Sequence, residues 1–70
     1  MTQELATRSN DVCDVILSFD DSESEFPIIV DLHDRATGET WHMFPPSEKA
    51  NDVFEHPFAY INRVPTILNN

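Results

Sequence analysis

The chain has 70 residues, which is short for one domain and leaves no room for separate catalytic and regulatory domains. Its 13 acidic and 4 basic residues give a net charge of −9, so phosphate backbones and anionic membranes should repel it. The hydrophobic fraction of 40% is too high for a disordered acidic tail. We therefore expect a folded protein that binds neither nucleic acid nor membranes directly.

The first ten residues are polar and show no periodicity, which predicts a flexible arm over 1–10 followed by a single small domain over 11–70. They lack the basic and apolar regions of a secretory signal, and no apolar run approaches the ~20 residues of a membrane span. The sequence has one cysteine, Cys13, whose apolar neighbours predict a buried free thiol. These features favour a cytoplasmic protein.

A first strand is predicted from Val12 onward, because apolar side chains alternate along this segment. The side chains expected on the core face are Cys13, Val15, Leu17 and Phe19. The following segment, 20–25, is rich in acids and serines, which predicts an exposed loop. The chain then becomes rich in β-branched residues again, which predicts a second strand.

A hairpin is predicted around the loop 34–39, which joins the second strand to a third. Asp34 can hydrogen-bond the turn backbone, and Gly38 can supply the positive φ that such a loop needs. Pairing of Asp34 with Glu39 fixes the register of the hairpin. The resulting cross-strand pairs are Val30 with Met43, Asp31 with His42, Leu32 with Trp41, and His33 with Thr40. This register predicts that Trp41 is buried on the core face.

The last third of the chain predicts helical structure. Ser47 follows two prolines and can cap a helix, and an apolar stripe with a helical period runs over 50–64. Pro57 interrupts this stripe, so we expect a helix over 47–56 and then a kink or a second short helix. Residues 66–70 are predicted to be an exposed tail.

These elements predict an α+β fold: a three-stranded antiparallel sheet in meander order, with a C-terminal kinked helix or two short helices on one face. The opposite sheet face should carry an apolar strip, formed by Ile16, Ile29 and Phe44, among polar side chains. Such a strip could join two copies of the chain. A homodimer through that face is therefore one expected assembly.

Motifs for metal binding and catalysis are weak. His33, His42 and Asp31 fall on one predicted sheet face, with Asp14 in reach if the first strand pairs alongside. However, no CxxC, HxxH or HExxH spacing occurs, and a single glycine leaves no phosphate-binding loop. Asp31 also has a simpler role as the cross-strand partner of His42. We therefore predict a non-enzymatic protein with no cofactor or metal. A metal-dependent protein that uses His33, His42 and Asp31 is a third alternative.

The charge distribution carries the functional prediction. Between Arg8 and Arg35 lie eight acids and no Lys or Arg. This acidic stretch fits a solvated surface that keeps a small domain soluble, and it fits equally well a docking surface for a basic partner. The acids predicted to contact that partner are Asp11, Asp14, Asp20, Asp21, Glu23, Glu25, Asp31 and Asp34.

The sequence thus predicts a small acidic binding protein that docks on a basic protein and inhibits or regulates it. Its carboxylates approach in number the charge of duplex DNA of similar length, so the prediction includes a nucleic-acid-handling partner and mimicry of nucleic acid, as in some phage inhibitors. The alternative is an accessory or structural module that binds a partner or itself through apolar surface. Salt separates the two, because charge-led binding weakens as ionic strength rises.

Overall fold

A computed structural model describes residues 2–22 and 27–69, which form an antiparallel sheet and a short helical segment. The five strands of this described part follow one another across the sheet in chain order. They are β1 (Thr2–Ser9), β2 (Cys13–Asp20), β3 (Ile28–Asp34), β4 (Thr40–Met43) and β5 (Thr66–Asn69). Between β4 and β5 lie a 3-10 turn (Ser47–Lys49), α1 (Ala50–Glu55) and α2 (Pro57–Tyr60).

The prediction of a three-stranded sheet is wrong, because the described sheet has five strands and the two additional strands form its edges. β1 forms from residues expected to be a flexible arm, and it pairs with β2 from Thr2 opposite Asp20 to Ser9 opposite Asp14. β5 forms from the expected tail and pairs antiparallel with β4. Neither segment has a strong apolar alternation, so each depends on the hydrogen bonds that its neighbouring strand supplies.

The β3–β4 hairpin has the predicted register, and all four predicted cross-strand pairs are present. The Asp34 N–H donates to the Glu39 carbonyl at 2.8 Å, which closes the loop. The Asp34 carboxylate accepts a hydrogen bond from the Ala36 N–H at 2.9 Å, and Gly38 has a positive φ of 78°. The turn chemistry that the sequence indicates is therefore confirmed.

The core lies between one face of the sheet and α1. Val30, Leu32 and Met43 on the sheet have no exposed surface. α1 contributes Val53 and Phe54 to the same cluster, which explains how a helix of only six residues is held in place. Burial of each such side chain stabilises the fold by about 1.5–3 kcal/mol relative to its exposed state.

Trp41 is only half-buried, so its predicted burial is found only in part. The indole packs at the margin of the core cluster. Its ring meets the ring of Phe58 edge-on, with the centroids 6.5 Å apart, and Phe58 is itself 52% exposed. Because α2 has only four residues, it covers this end of the sheet incompletely.

The helical segment breaks where the sequence predicts. His56 leaves the helical region with φ −133° and ψ 59°, and α2 begins at Pro57, which has no N–H to continue the hydrogen bonds of α1. Ser47 does not act as the predicted cap, because it lies inside the 3-10 turn, and Pro46 precedes that turn without a side-chain cap. No helix within the described residues is long and apolar enough to cross a membrane.

Arg8 connects β1 to the C-terminal end of α1. Its Nη2 donates to the carbonyl oxygens of Phe54 and Glu55 at 2.8 and 2.9 Å, and its Nε donates to the former at 3.2 Å. The guanidinium carbon lies 5.3 Å from the centroid of the Phe54 ring. A cation at this end of a helix satisfies carbonyls that lack intrahelical partners and complements the helix dipole. β1 is therefore held by a side-chain contact as well as by β2.

Candidate functional site

The open face of the sheet, defined here as the face away from α1, carries two of the eight predicted acids. Asp14 lies opposite His33, and Asp31 lies opposite His42, in adjacent rows of the ladder. These positions alternate with the core positions of the same strands, which is why their side chains point away from α1. The sequence-based assignment of these four residues to one face is confirmed.

Four other acids lie at opposite ends of the β2–β3 pair. Asp11 and Asp34 lie at the end where the turn between β1 and β2 meets the hairpin loop. Asp20 and Asp21 lie at the other end. The eight residues of β2 place the two ends about 24 Å apart at ~3.4 Å per residue. The last two predicted acids, Glu23 and Glu25, lie outside the described residues. The acidic stretch is therefore divided between two ends of the sheet and its open face.

Asp14 belongs to a local network that includes a base. Arg35 Nη1 lies 2.5 Å from Asp14 Oδ1, and the Ser9 hydroxyl donates to the same oxygen at 2.7 Å. Arg35 Nη2 also donates to the carbonyl of Asn10. The Arg35 hydrogen bond, followed by that from Ser9, lowers the pKa of Asp14 below its ordinary value of 3.8. This acid is thus ionised and partly neutralised by its own chain.

The lowered pKa of Asp14 predicts a pH dependence of stability. Since the folded-state pKa lies below 3.8, the charged carboxyl favours the folded state; this contribution is complete above the unfolded pKa and is lost as pH falls through the folded pKa. We expect Asp14→Asn to have a lower urea midpoint than wild type at about pH 6 and a smaller difference from wild type at about pH 2. An equal difference in urea midpoint between Asp14→Asn and wild type at both pH values would contradict this role of Asp14.

Asp20 and Asp34 shape turns. The Ser22 hydroxyl and backbone N–H donate to Asp20 Oδ1 at 2.7 and 3.0 Å, and these bonds lower the pKa of Asp20. Asp34 accepts from the Ala36 N–H in the hairpin loop. Both carboxylates therefore have a structural role beside any role in binding, because Asp side chains commonly stabilise such turns.

The two histidines on the open face each have a partner. His42 Nδ1 lies 2.5 Å from Asp31 Oδ1, which confirms the predicted cross-strand contact. His33 Nδ1 lies 2.8 Å from the Thr40 hydroxyl. Among the described residues, no group of three or more His, Cys, Asp or Glu side chains is placed to hold a metal ion. The geometry of the open face therefore adds nothing to the metal-dependent alternative.

The predicted apolar strip of the open face is interleaved with polar side chains. Ile16, Ile29 and Phe44 are each half-buried. Ile16 lies directly opposite Asp31 in the ladder, so charged and apolar groups alternate along this row. A homodimer through this face stays a prediction.

Among the described residues, the cavities away from the open face include one beside β5 and one beside α2. One, of about 410 Å³, lies beside β5 on the α1 side of the sheet and is lined by Trp41, Ile61, Asn62, Val64, Thr66 and Leu68. We call it the β5 groove. The other, of about 400 Å³, lies between the start of β2 and α2 and includes Cys13 in its wall. Cys13 is confirmed as a buried free thiol.

Two of the four basic residues make contacts that were not predicted from the sequence. Arg8 bonds to α1 and Arg35 bonds to Asp14, although both were expected only to border the acidic stretch. Their partners lie 46 and 21 residues away along the chain, so no local pattern could indicate these contacts. The other two bases, Lys49 and Arg63, are exposed beside α1 and α2. Arg8 and Arg35 thus both lie near the end of the sheet that holds Asp11 and Asp34, where each has an intramolecular contact.

Comparisons of this chain with protein-family models, with curated proteins and with solved structures found no match.

Proposed function

We propose that this protein is a small, non-enzymatic acidic protein that docks on a basic surface of another protein and inhibits or regulates it. One observation carries the proposal: Arg8 and Arg35, the bases nearest the acidic stretch, both have contacts within the fold. Both residues are exposed and keep their charge, but these contacts fix them in place, and Arg35 offsets Asp14 rather than the acids at the far end of β2. With a net charge of −9, the molecule presents a strongly negative field to a partner.

The division of the acids supports docking over an extended surface. Two acidic ends about 24 Å apart, with the open face between them, would span much of the molecule's longest dimension of 33 Å. An interface of ordinary size covers about 800 Å² on each partner, which is of this breadth. Charges at both ends would orient the partner as well as attract it.

The proposal includes a partner that handles nucleic acids. Duplex DNA of 33 Å in length carries about 19 negative charges, and this chain has 13 acids on a body of that length. A groove that binds a phosphate backbone would therefore meet about two thirds as many negative groups here. In that case nucleic acid and this protein should compete for the partner, each weakening the binding of the other.

We also propose that the protein acts in the cytoplasm. The buried thiol of Cys13 is free, and a fold without a disulfide suits a reducing compartment. This part of the proposal would be contradicted by recovery of the native protein with Cys13 in an intermolecular disulfide.

The experiment that tests the proposal is capture of the partner on immobilised protein at about 50 and 500 mM salt, where the Debye length falls from about 14 to about 4 Å. Two variants with equal charge change are compared. They are Asp21→Asn/Glu23→Gln/Glu25→Gln and the control Glu48→Gln/Asp52→Asn/Glu55→Gln. We expect wild type to capture a basic partner at low salt only, and the first variant to lose about tenfold more affinity than the control. Capture that is insensitive to salt, or equal loss by both variants, would contradict the proposal.

One observation favours the alternative of an accessory module that binds through apolar surface. Phe58, Ile67 and Leu68 are each more than half exposed, and Leu68 lines the β5 groove. Exposed apolar patches beside a groove are typical of interaction sites. Salt-insensitive capture that Phe58→Ala abolishes would assign this function.

A further inference from the structure

The two edges of the sheet differ in how they are protected against pairing with another strand. β1 carries charged Glu4 and Arg8, and its pairing with β2 is interrupted by an irregularity between Glu4 and Ala6. Charges and bulges on an edge strand disfavour the addition of another strand. β5 has no charged residue and no proline, and its register with β4 is continuous. In the described part of the chain, no strand pairs with its outer side. β5 is therefore the less protected edge.

Apolar surface accompanies this edge on both faces of the sheet. Ile67, opposite His42, is 59% exposed, and Leu68, opposite Trp41, is 51% exposed. Leu68 and the half-buried Trp41 line the β5 groove together with Ile61 of the turn after α2. A strand added beside β5 would hydrogen-bond to its outer edge, and alternate side chains of that strand would lie over the groove.

We propose that β5 is a docking edge for an extended basic segment of the partner protein, which pairs with β5 and places an apolar side chain in the β5 groove. The inference rests on the proposed function, because the net charge of −9 is what favours a cationic occupant. The same charge opposes a second copy of this chain at the edge, since two such chains repel each other. A segment that alternates lysine or arginine with apolar residues has a cationic face and an apolar face. The cationic face suits the net charge of this protein, and the apolar face suits the β5 groove.

The test uses the intact protein and a synthetic peptide, acetyl-Lys-Val-Lys-Val-Lys-Val-Lys-amide, compared with the same peptide methylated on every backbone nitrogen. Both carry the same charge, but the second cannot donate backbone hydrogen bonds. We expect the first to bind at least about tenfold more tightly by calorimetry. Amides of Thr66–Asn69 should gain protection from hydrogen exchange on binding, whereas those of Thr2–Ser9 should not.

A matched pair of variants locates the site. Leu68→Asn changes the leucine on β5, and Leu5→Asn changes an equally exposed leucine (52%) on β1 at the other edge. We expect Leu68→Asn to weaken peptide binding by about tenfold and Leu5→Asn to leave it unchanged. Equal effects of the two variants, or new protection in β1 instead of β5, would overturn the inference. The exchange measurement on wild type decides the question even where a variant fails to fold.

The outcomes separate this inference from the proposed function. Equal, strongly salt-dependent binding of the two peptides would overturn the β5 site and leave charge-led docking standing. Equal affinity for a peptide with threonine in place of every lysine would overturn the charge requirement and leave β5 as an edge for apolar strands. No binding up to about 1 mM would overturn the β5 site. A dimer that is seen by analytical ultracentrifugation and is dissociated by Leu68→Asn would assign the β5 groove to a second copy of this chain. That result would also overturn the proposed docking of a basic segment.

Discussion

Replacing Leu32 with alanine should lower the free energy of unfolding by about 2–5 kcal/mol, because it leaves a cavity where the side chain has no exposed surface. Leu32 lies on the third of the five described strands, opposite Val15 on one side and Trp41 on the other. A domain of 70 residues holds about 4–10 kcal/mol in total, so this loss removes much of its stability. Urea unfolding followed by the fluorescence of Trp41 measures it.

The control for that substitution is Leu5→Ala on β1. This leucine is 52% exposed, and its truncation should change the free energy of unfolding by less than about 0.5 kcal/mol. Equal losses from the two substitutions would mean that the core does not lie between α1 and the sheet face described here.

Replacing Arg8 with methionine should cost about 1–2 kcal/mol and release the first strand. Methionine keeps an apolar stem against Phe54 but removes the donors to the carbonyls of Phe54 and Glu55 and the charge at the end of α1. Hydrogen exchange should quicken in both β1 and α1, because each holds the other. The stability of Arg8→Lys should lie between those of wild type and Arg8→Met, since lysine keeps the charge but lacks the planar guanidinium group.

An Arg8→Met variant as stable as wild type, with unchanged exchange in α1, would contradict this role. It would favour the sequence-based expectation that residues 1–10 form a flexible arm, because β1 would then contribute nothing to holding the helix.

The parts of the fold that were predicted correctly have local signals. The register of the β3–β4 hairpin follows from a loop in which Asp34 closes the turn and Gly38 takes the positive φ. The break in the helical segment follows from Pro57, whose ring and missing N–H act on its immediate neighbours. Local chemistry determines both features, so one sequence is enough to predict them.

The parts that were predicted wrongly depend on distant residues. β1 and β5 carry no pattern of their own that identifies a strand, and they form because β2 and β4 offer unpaired edges. The role of Arg8 depends on carbonyls 46 and 47 residues away. Such contacts are properties of the assembled sheet, and no window along the chain contains both partners.

The candidate site shows the same division. The facing of Asp31 and His42 follows from the hairpin register and was predicted. The ion pair between Arg35 and Asp14 was not predicted. It forms only when β2 and β3 align and the hairpin loop comes close to the turn between β1 and β2. For the same reason the acidic stretch, continuous in sequence, is divided between the two ends of β2.

The most direct test of charge-led docking is the association rate constant of the captured partner, measured by stopped flow between about 50 and 500 mM salt. If charges guide docking, the association rate constant falls at least about tenfold over this range while the dissociation rate constant changes little. The variant Asp21→Asn/Glu23→Gln/Glu25→Gln should start from a lower rate and show a shallower salt dependence than Glu48→Gln/Asp52→Asn/Glu55→Gln. An association rate constant that is flat across the salt range for wild type would contradict the account.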